Sequence, residues 1–379
     1  MLDSIKIQGF RKYKRFELRD FGRINFILGN NNVGKTSVLE AIYAWACGQN
    51  IAPFINIPLA RARFAANQQP YWLMEEIISV VNDHGTVPFR MSFEGNYDGE
   101  RVCFNHIIYP SDILGEYDSS YKIITENPAP KSNGQVPNEI SSVVTGVNGV
   151  IQLAAPIIVA KWDVEHKGNI VSGTITSPST MVSLIKPYKS AKYIDVLSHT
   201  VVKETVQMYS SLKRENKLDD AIREIGKIYP EIAGFDTIPY PDGSQAPISV
   251  VKKDGSMLPL YACGDGIQRW FYIIGAISLY KNTLICIDEI DTGFHPNAQY
   301  EFCKNLSMYA KSNNVQLFIT THNIEFVDGF LDANKDMDAD YLESARVITL
   351  RDYDGEIRVR TMNAIEAEKA REDYKMELR

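Results

Sequence analysis

The 379-residue sequence predicts an α/β protein with a mixed sheet, an antiparallel β subdomain and an inserted α+β lobe. Three observations predict it. "TLICID" (283–288) and "VQLFITT" (315–321) are short continuous apolar runs, the composition of parallel strands covered on both faces, and helical periodicity over Ala298–Ser312 separates them. "RINFIL" (23–28) is a third such run. A helix follows it from about Gly34, with Val38, Leu39, Ile42, Tyr43 and Ala46 on one face. Finally, "LDSIKIQGF" and residues 86–110 alternate apolar and polar, as half-buried antiparallel strands do, with "NYDGE" at a hairpin turn.

In chain order, residues 1–30 read as strand, turn, strand, with "RKYKRFELRD" as a charged second strand before "RINFIL". The middle is Gly/Pro/Asn-rich in "ENPAPKSNGQVPNE", with short strands near 150–175 and a charged helical stretch near 190–228. The expected division is 1–104 as the N-terminal half of a nucleotide-binding core, 105–254 as the inserted lobe, and 255–379 as the C-terminal half.

Composition bounds the function. Hydrophobic residues make up 45% and charged residues 23%, which is ordinary for a globular chain. A net charge of −7 argues against a generally basic nucleic-acid coat, while leaving room for a local basic groove. The five cysteines (47, 103, 263, 286, 303) show no metal-ligand spacing and fit reduced thiols. Arg11, Lys12, Lys14 and Arg15 interrupt any signal-peptide pattern, and Trp270–Tyr280 is too short to span a bilayer, so the expected location is cytoplasmic, away from membranes.

Gly29-Asn30-Asn31-Asn32-Val33-Gly34-Lys35-Thr36 matches GxxxxGK[ST] between a strand and a helix. In that context loop amides and the helix N-terminus converge on phosphate oxygens, Lys35 reaches the β/γ-phosphates, and Thr36 ligates Mg²⁺. At the end of the strand "LICIDEID", Asp288 would hold the metal and Glu289 would polarise the attacking water. His322 in "TTHN" closes a neighbouring strand, where ligands gather in open α/β sheets. "YACGDGIQRW" (261–270) is a second Gly-rich helix opening able to donate amides to a phosphate, best used on a nucleotide held by another subunit. The GTPase-like "NKLD" (Asn216–Asp219) has no buried strand before it and is an accidental match. The acidic run Asp336–Asp340 reads as a solvated loop, because no later Gly and Glu complete a calcium site.

Together these residues resemble the ABC-type ATPase superfamily on its SMC/RecF/OLD branch. "IQGFRKYKRFEL" is similar to the branch's opening strand pair, "GNNNVGKTS" to Walker A, "CGDGIQRW" to the signature, "LICIDEIDTGFHP" to Walker B plus D-loop, and "ITTHN" to the switch histidine. The resemblance implies an ABC-head P-loop NTPase, covering residues 1–50 and 255–330 well and the middle poorly. It implies that Gly29, Asn30, Asn32, Gly34, Lys35, Thr36 and Ser37 bind ATP and Mg²⁺. Asp288 is then the Walker B acid, Glu289 the catalytic base, Asp291 the D-loop acid and His322 the switch. Gly264, Asp265 and Gly266 would meet the nucleotide of a second chain in a homodimer or higher homo-oligomer. Arg11 matches a position that sends a basic side chain to the phosphates; a solvated edge-strand charge is its other reading.

The chain departs from the branch in places. Gly264 stands where the signature has serine, which implies slow hydrolysis or altered dimer geometry, and the Q-loop glutamine falls on Gln68, Gln69 or Gln152. Stand-alone members of the branch resemble ATPase subunits of prokaryotic antiviral defence systems, working with a separate nuclease or toxin. A RecF-like DNA-binding repair ATPase and a non-hydrolysing ATP-dependent scaffold are the alternatives.

Overall fold

A computed structural model describes residues 1–50, 53, 54, 57, 79–82, 89–109, 158–167, 169–177, 186–238, 247–291, 296–335 and 339–374. Its contacts group into two units, residues 2–19 with 40–189, and residues 1, 20–39 and 190–379.

The first unit holds an antiparallel sheet. Strands β1 (Leu2–Phe10), β2 (Tyr13–Leu18), β4 (Phe89–Tyr97), β5 (Glu100–Tyr109), β6 (Ile158–His166) and β7 (Asn169–Ser177) lie in the order β2-β1-β4-β5-β6-β7. Alternation in the sequence becomes alternation in burial: Ile5, Ile7, Phe93 and Phe104 are inside, while Lys14, Arg15 and Arg90 are exposed. Asp98 (φ 50) and Gly99 (φ 81) form the predicted turn, both left-handed as a two-residue hairpin requires.

The second unit holds the other six-stranded sheet, ordered β15-β14-β3-β13-β12-β8. It is built from β3 (Ile24–Gly29), β8 (Ala191–Ile194), β12 (Leu284–Ile287), β13 (Gln316–Thr320), β14 (Ala345–Tyr353) and β15 (Glu356–Asn363). β8, β12, β13, β3 and β14 are parallel neighbours, and β15 closes the edge antiparallel to β14. The apolar runs read from the sequence are the central strands, buried at every position. Within the stretch read as helical from 190, residues 191–194 form the edge strand β8. Four residues carry too little periodicity to reveal a strand. Asn216 (φ 54) lies in the short turn after the helix Val202–Arg214, and Leu218 and Asp219 open the next helix, so this stretch follows a helix and not a strand.

Helix α1 (Lys35–Cys47) follows β3 and runs from one unit's residues into the other's. Helices α2 (Val202–Arg214), α3 (Leu218–Ile228), α4 (Asp265–Leu279), α5 (Pro296–Ser312), α6 (Ile324–Lys335), α7 (Ala339–Glu343) and α8 (Ala364–Tyr374) complete the second unit, with a small sheet β11-β10-β9 (Met257–Pro259, Ser249–Lys252, Ile232–Asp236). α4 is buried on nearly all sides, from Gly266 to Ser278, and supplies Trp270, Phe271, Ile273 and Ile274 to the core. α8 opens with a reciprocal cap: Glu366 N–H donates to Asn363 Oδ1 (2.8 Å) and Asn363 N–H to Glu366 Oε2 (3.1 Å). Among the described residues, no helix is long and apolar enough to cross a membrane. Gln68, Gln69, Gln152, His295 and Asp336–Asp338 lie outside the described residues.

Candidate functional site

The loop after β3 has the backbone its glycines allow. Gly29 (φ 141) and Gly34 (φ 107) are left-handed, as is Asn32 (φ 62). At Gly29 a side chain is excluded twice over, because a Cβ would collide with the Leu350 carbonyl oxygen and stand 2.9 Å from Val33 Cγ1. Val33 is buried and anchors the loop, its N–H donating to the Asn30 carbonyl (3.3 Å), while Asn30 to Asn32 stay exposed. Thr36 and Ser37 sit in the first turn of α1, directly after the loop.

Lys35 is only 5% exposed. Its Nζ donates to the Gly29 carbonyl (2.7 Å) and the Asn30 carbonyl (3.0 Å), and lies 3.2 Å from His322 Nδ1. Phosphate-loop lysine and strand-end histidine therefore converge, although 287 positions separate them.

A second convergence centres on Asp288. Its Oδ1 accepts from the Thr36 hydroxyl (3.1 Å) and from the Thr320 hydroxyl (2.6 Å). Thr320 in turn accepts from the Glu289 N–H (2.9 Å), so one buried hydroxyl ties both acids to β13. Glu289 takes a left-handed φ of 48, unusual for a non-glycine residue, and its Oε1 lies 3.6 Å from His322 Nε2. Asp291 accepts from the Thr321 hydroxyl, which also receives the Asn323 N–H (3.0 Å).

Sequence reasoning overlooked three supports. Thr320 and Thr321 sit inside the quoted "TTHN", but hydroxyls at a strand end look like ordinary β-formers. Arg269 is 1% exposed and donates to the carbonyls of Val196 (2.9 Å) and Glu289 (2.8 Å), bracing the acidic strand end. Burial lowers its pKa, and nearby Asp265 counteracts this. An arginine in an apolar helix was the available signal. The third is buried His199, whose Nε2 lies 2.5 Å from Asp265 Oδ1 at the start of α4; burial lowers the imidazole's pKa, and the Asp265 contact opposes that shift.

Gly264 is the N-cap of α4, with no side-chain cap, and a Cβ there would meet nothing within 4 Å. Gly266 is buried in the helix's first turn. In the other unit, Arg11 is clamped by Glu40: Nε donates to Oε2 (2.8 Å), Nη2 to Oε1 (3.1 Å), and Nη1 to the Ser79 carbonyl (3.2 Å).

The donors fit the ligands that the sequence implies. A left-handed loop, a helix N-terminus and a buried lysine suit a polyphosphate, and a hydroxyl beside a carboxylate supplies the hard oxygens Mg²⁺ takes. Such a loop between a buried parallel strand and a helix, with acids on the strand once removed, defines a P-loop nucleoside-triphosphatase fold.

The chain belongs to the AAA ATPase domain family (AAA_15), whose profile matches residues 1–66 and 181–327. It is 22% identical over 345 residues to an "ATP/GTP phosphatase" of Helicobacter pylori, covering 86% of this chain and 87% of that one. It is 27% identical over 154 residues to the DNA replication and repair protein RecF of Listeria innocua, covering 39% of this chain and 35% of RecF. An SMC head solved with the C-winged helix domain of ScpA aligns over 97% of this chain and 99% of its own, at 12% identity and a TM-score of 0.49. The family match and the sequence relatives agree with the ATPase class that the motif order predicts.

Proposed function

We propose that this ATPase-family chain is an ATP-hydrolysing molecular switch whose nucleotide is shared between two copies. The observation that carries it is the Asp288 carboxylate, which joins the phosphate-loop hydroxyl of Thr36 to the strand-end hydroxyl of Thr320. The name of the Helicobacter pylori relative supports hydrolysis. The roles follow from position. Loop amides from Gly29 to Gly34, with Lys35, bind and orient the phosphates; Ser37 lies in the same helical turn. Thr36 and Asp288 would hold Mg²⁺, which when bound neutralises charge on the β- and γ-phosphate oxygens. Glu289, braced by Thr320 and Arg269, takes a proton from the attacking water, and His322 positions the γ-phosphate end.

Gly264, Asp265, Gly266 and Asp291 are proposed to face the partner copy's nucleotide. Closing the dimer draws on differential affinity for open and closed states. Control of a separate effector, a nuclease or toxin in a defence complex, is the biological role that the resemblance supports. The RecF relatives, with exposed Lys12, Lys14 and Arg15, favour DNA as the alternative partner. Salt-dependent DNA affinity distinguishes that reading.

Phosphate release and light scattering test the proposal together. Glu289→Gln should bind ATP, stop turning over and accumulate as a dimer, and Lys35→Ala should bind no ATP. Wild-type turnover in Glu289→Gln removes the assigned base, and a monomer under ATP removes the shared site. ATP binding without any turnover in the native chain favours the scaffold.

A further inference from the structure

β14 runs parallel to β3 with Leu350 opposite Gly29, so it draws level with the phosphate loop and then passes it. Arg351, Asp352 and Tyr353 lie beyond that level, and the chain returns through a left-handed turn at Asp354 (φ 53) and Gly355 (φ 88). At about 3.3 Å per residue, Tyr353 stands roughly 10 Å past Gly29. Arg351 is opposite Arg358 and Tyr353 opposite Glu356, which alternation places on one face of the hairpin. The Arg358 guanidinium covers the Tyr353 ring at 4.9 Å from its centroid, and Tyr353 remains 45% exposed.

Topology says which end of a nucleotide this hairpin would meet. β3 has two neighbours. On the β13 side stand His322 and, one strand further, Asp288 and Glu289, the groups suited to a terminal phosphate and a metal. A triphosphate lying in the loop with its terminal phosphate toward them directs its nucleoside toward the other neighbour, β14. Arg351 and Arg358 face each other across the strands, and Glu356 Oε2 lies 3.7 Å from Arg358 Nη2, so this face offers two guanidinium groups together with one carboxylate. A guanidinium stacked on a phenol ring offers a flat, polarisable surface of the kind bases stack on.

We propose that the tip of the β14–β15 hairpin is the nucleoside subsite, with Tyr353 and Arg358 stacking on a purine base and Arg351 beside the ribose and α-phosphate. This rests on the ATP site proposed above. Stacking tolerates different bases, so the subsite distinguishes a nucleoside triphosphate from bare polyphosphate more strongly than adenine from guanine.

Calorimetry of the full-length chain with Mg-ATP and with Mg-tripolyphosphate tests it. The wild type should bind ATP at least tenfold tighter than tripolyphosphate. Tyr353→Ala should lose about tenfold in ATP affinity with tripolyphosphate unchanged, Arg358→Ala should move the same way, and Tyr353→Phe should bind as wild type. Alanine variants that bind ATP like the wild type, or lose both ligands in equal proportion, overturn the subsite. Lys35→Ala separates the two readings. If it abolishes both ligands while Tyr353→Ala is silent, the subsite alone fails. If it leaves both unaffected, the phosphate-loop assignment fails and the subsite with it.

Discussion

Thr36 and Asp288, 252 positions apart, share a hydrogen bond of 3.1 Å. Asp288 Oδ1 is shared with Thr320, which also holds the Glu289 amide. Thr320→Val keeps the shape and deletes the hydroxyl, removing one of the donors to Asp288 Oδ1, which keeps Thr36, and the acceptor of the Glu289 amide. The expected cost is about 1–3 kcal/mol in denaturant unfolding. Turnover should fall at least tenfold, because both acids lose the same brace, and steady-state phosphate release would read this. A variant with native stability and turnover would show the hydroxyl to be dispensable.

Gly264 has open space where a side chain would go, and it caps α4 without a side-chain bond. Gly264→Ser should therefore fold normally and gain a few tenths of a kcal/mol in thermal unfolding, from a better N-cap. On the shared-site proposal the new hydroxyl also speeds hydrolysis. Unchanged turnover in a dimer that still forms would mean that this position does not touch nucleotide.

His106 packs edge-on against Phe54 and Phe93, and burial pushes its pKa from 6.5 down to about 4. The unfolded chain binds this proton near pH 6.5 and the folded chain only near 4, so protonation favours unfolding. The contribution is complete above about pH 6.5 and is lost as pH falls toward 4, roughly 3 kcal/mol in all. Denaturant melts across that range should show the slope, and His106→Phe should flatten it.

Arg269 joins Val196 and Glu289 carbonyls through separate guanidinium nitrogens. Arg269→Lys keeps a charge but cannot span both acceptors. It should lose several kcal/mol of stability and an order of magnitude in turnover, read by thermal melts and phosphate release. A lysine variant that matches the wild type on both would make the fork geometry irrelevant.

The parts of the fold legible in the sequence were those written as uninterrupted local patterns. "RINFIL", "LICID" and "VQLFI" are apolar at nearly every position because parallel strands are covered on both sides, and GNNNVGKT carries its own backbone requirements. The β14–β15 hairpin is not legible in the same way, although Asp354-Gly355 is as strong a turn signal as Asp98-Gly99. Its strands mix charged and apolar residues on both faces, since one is an edge and both outrun the sheet. β8 is hidden by its length. In the site, Lys35, Thr36, Asp288 and His322 are legible from motif and strand-end position, while Thr320 and Arg269 depend on which strands lie side by side.

Glu289 occupies a left-handed conformation that glycine adopts freely and L-residues rarely do, at a cost on the order of 1 kcal/mol. Glycine there would relax the backbone and abolish the carboxylate, so a library screened for thermostability alone should enrich Glu289→Gly, and one screened for turnover should purge it. On the proposed role of Glu289 as the base, the two selections pull this single codon in opposite directions, as expected of a residue kept for its chemistry at the expense of its comfort.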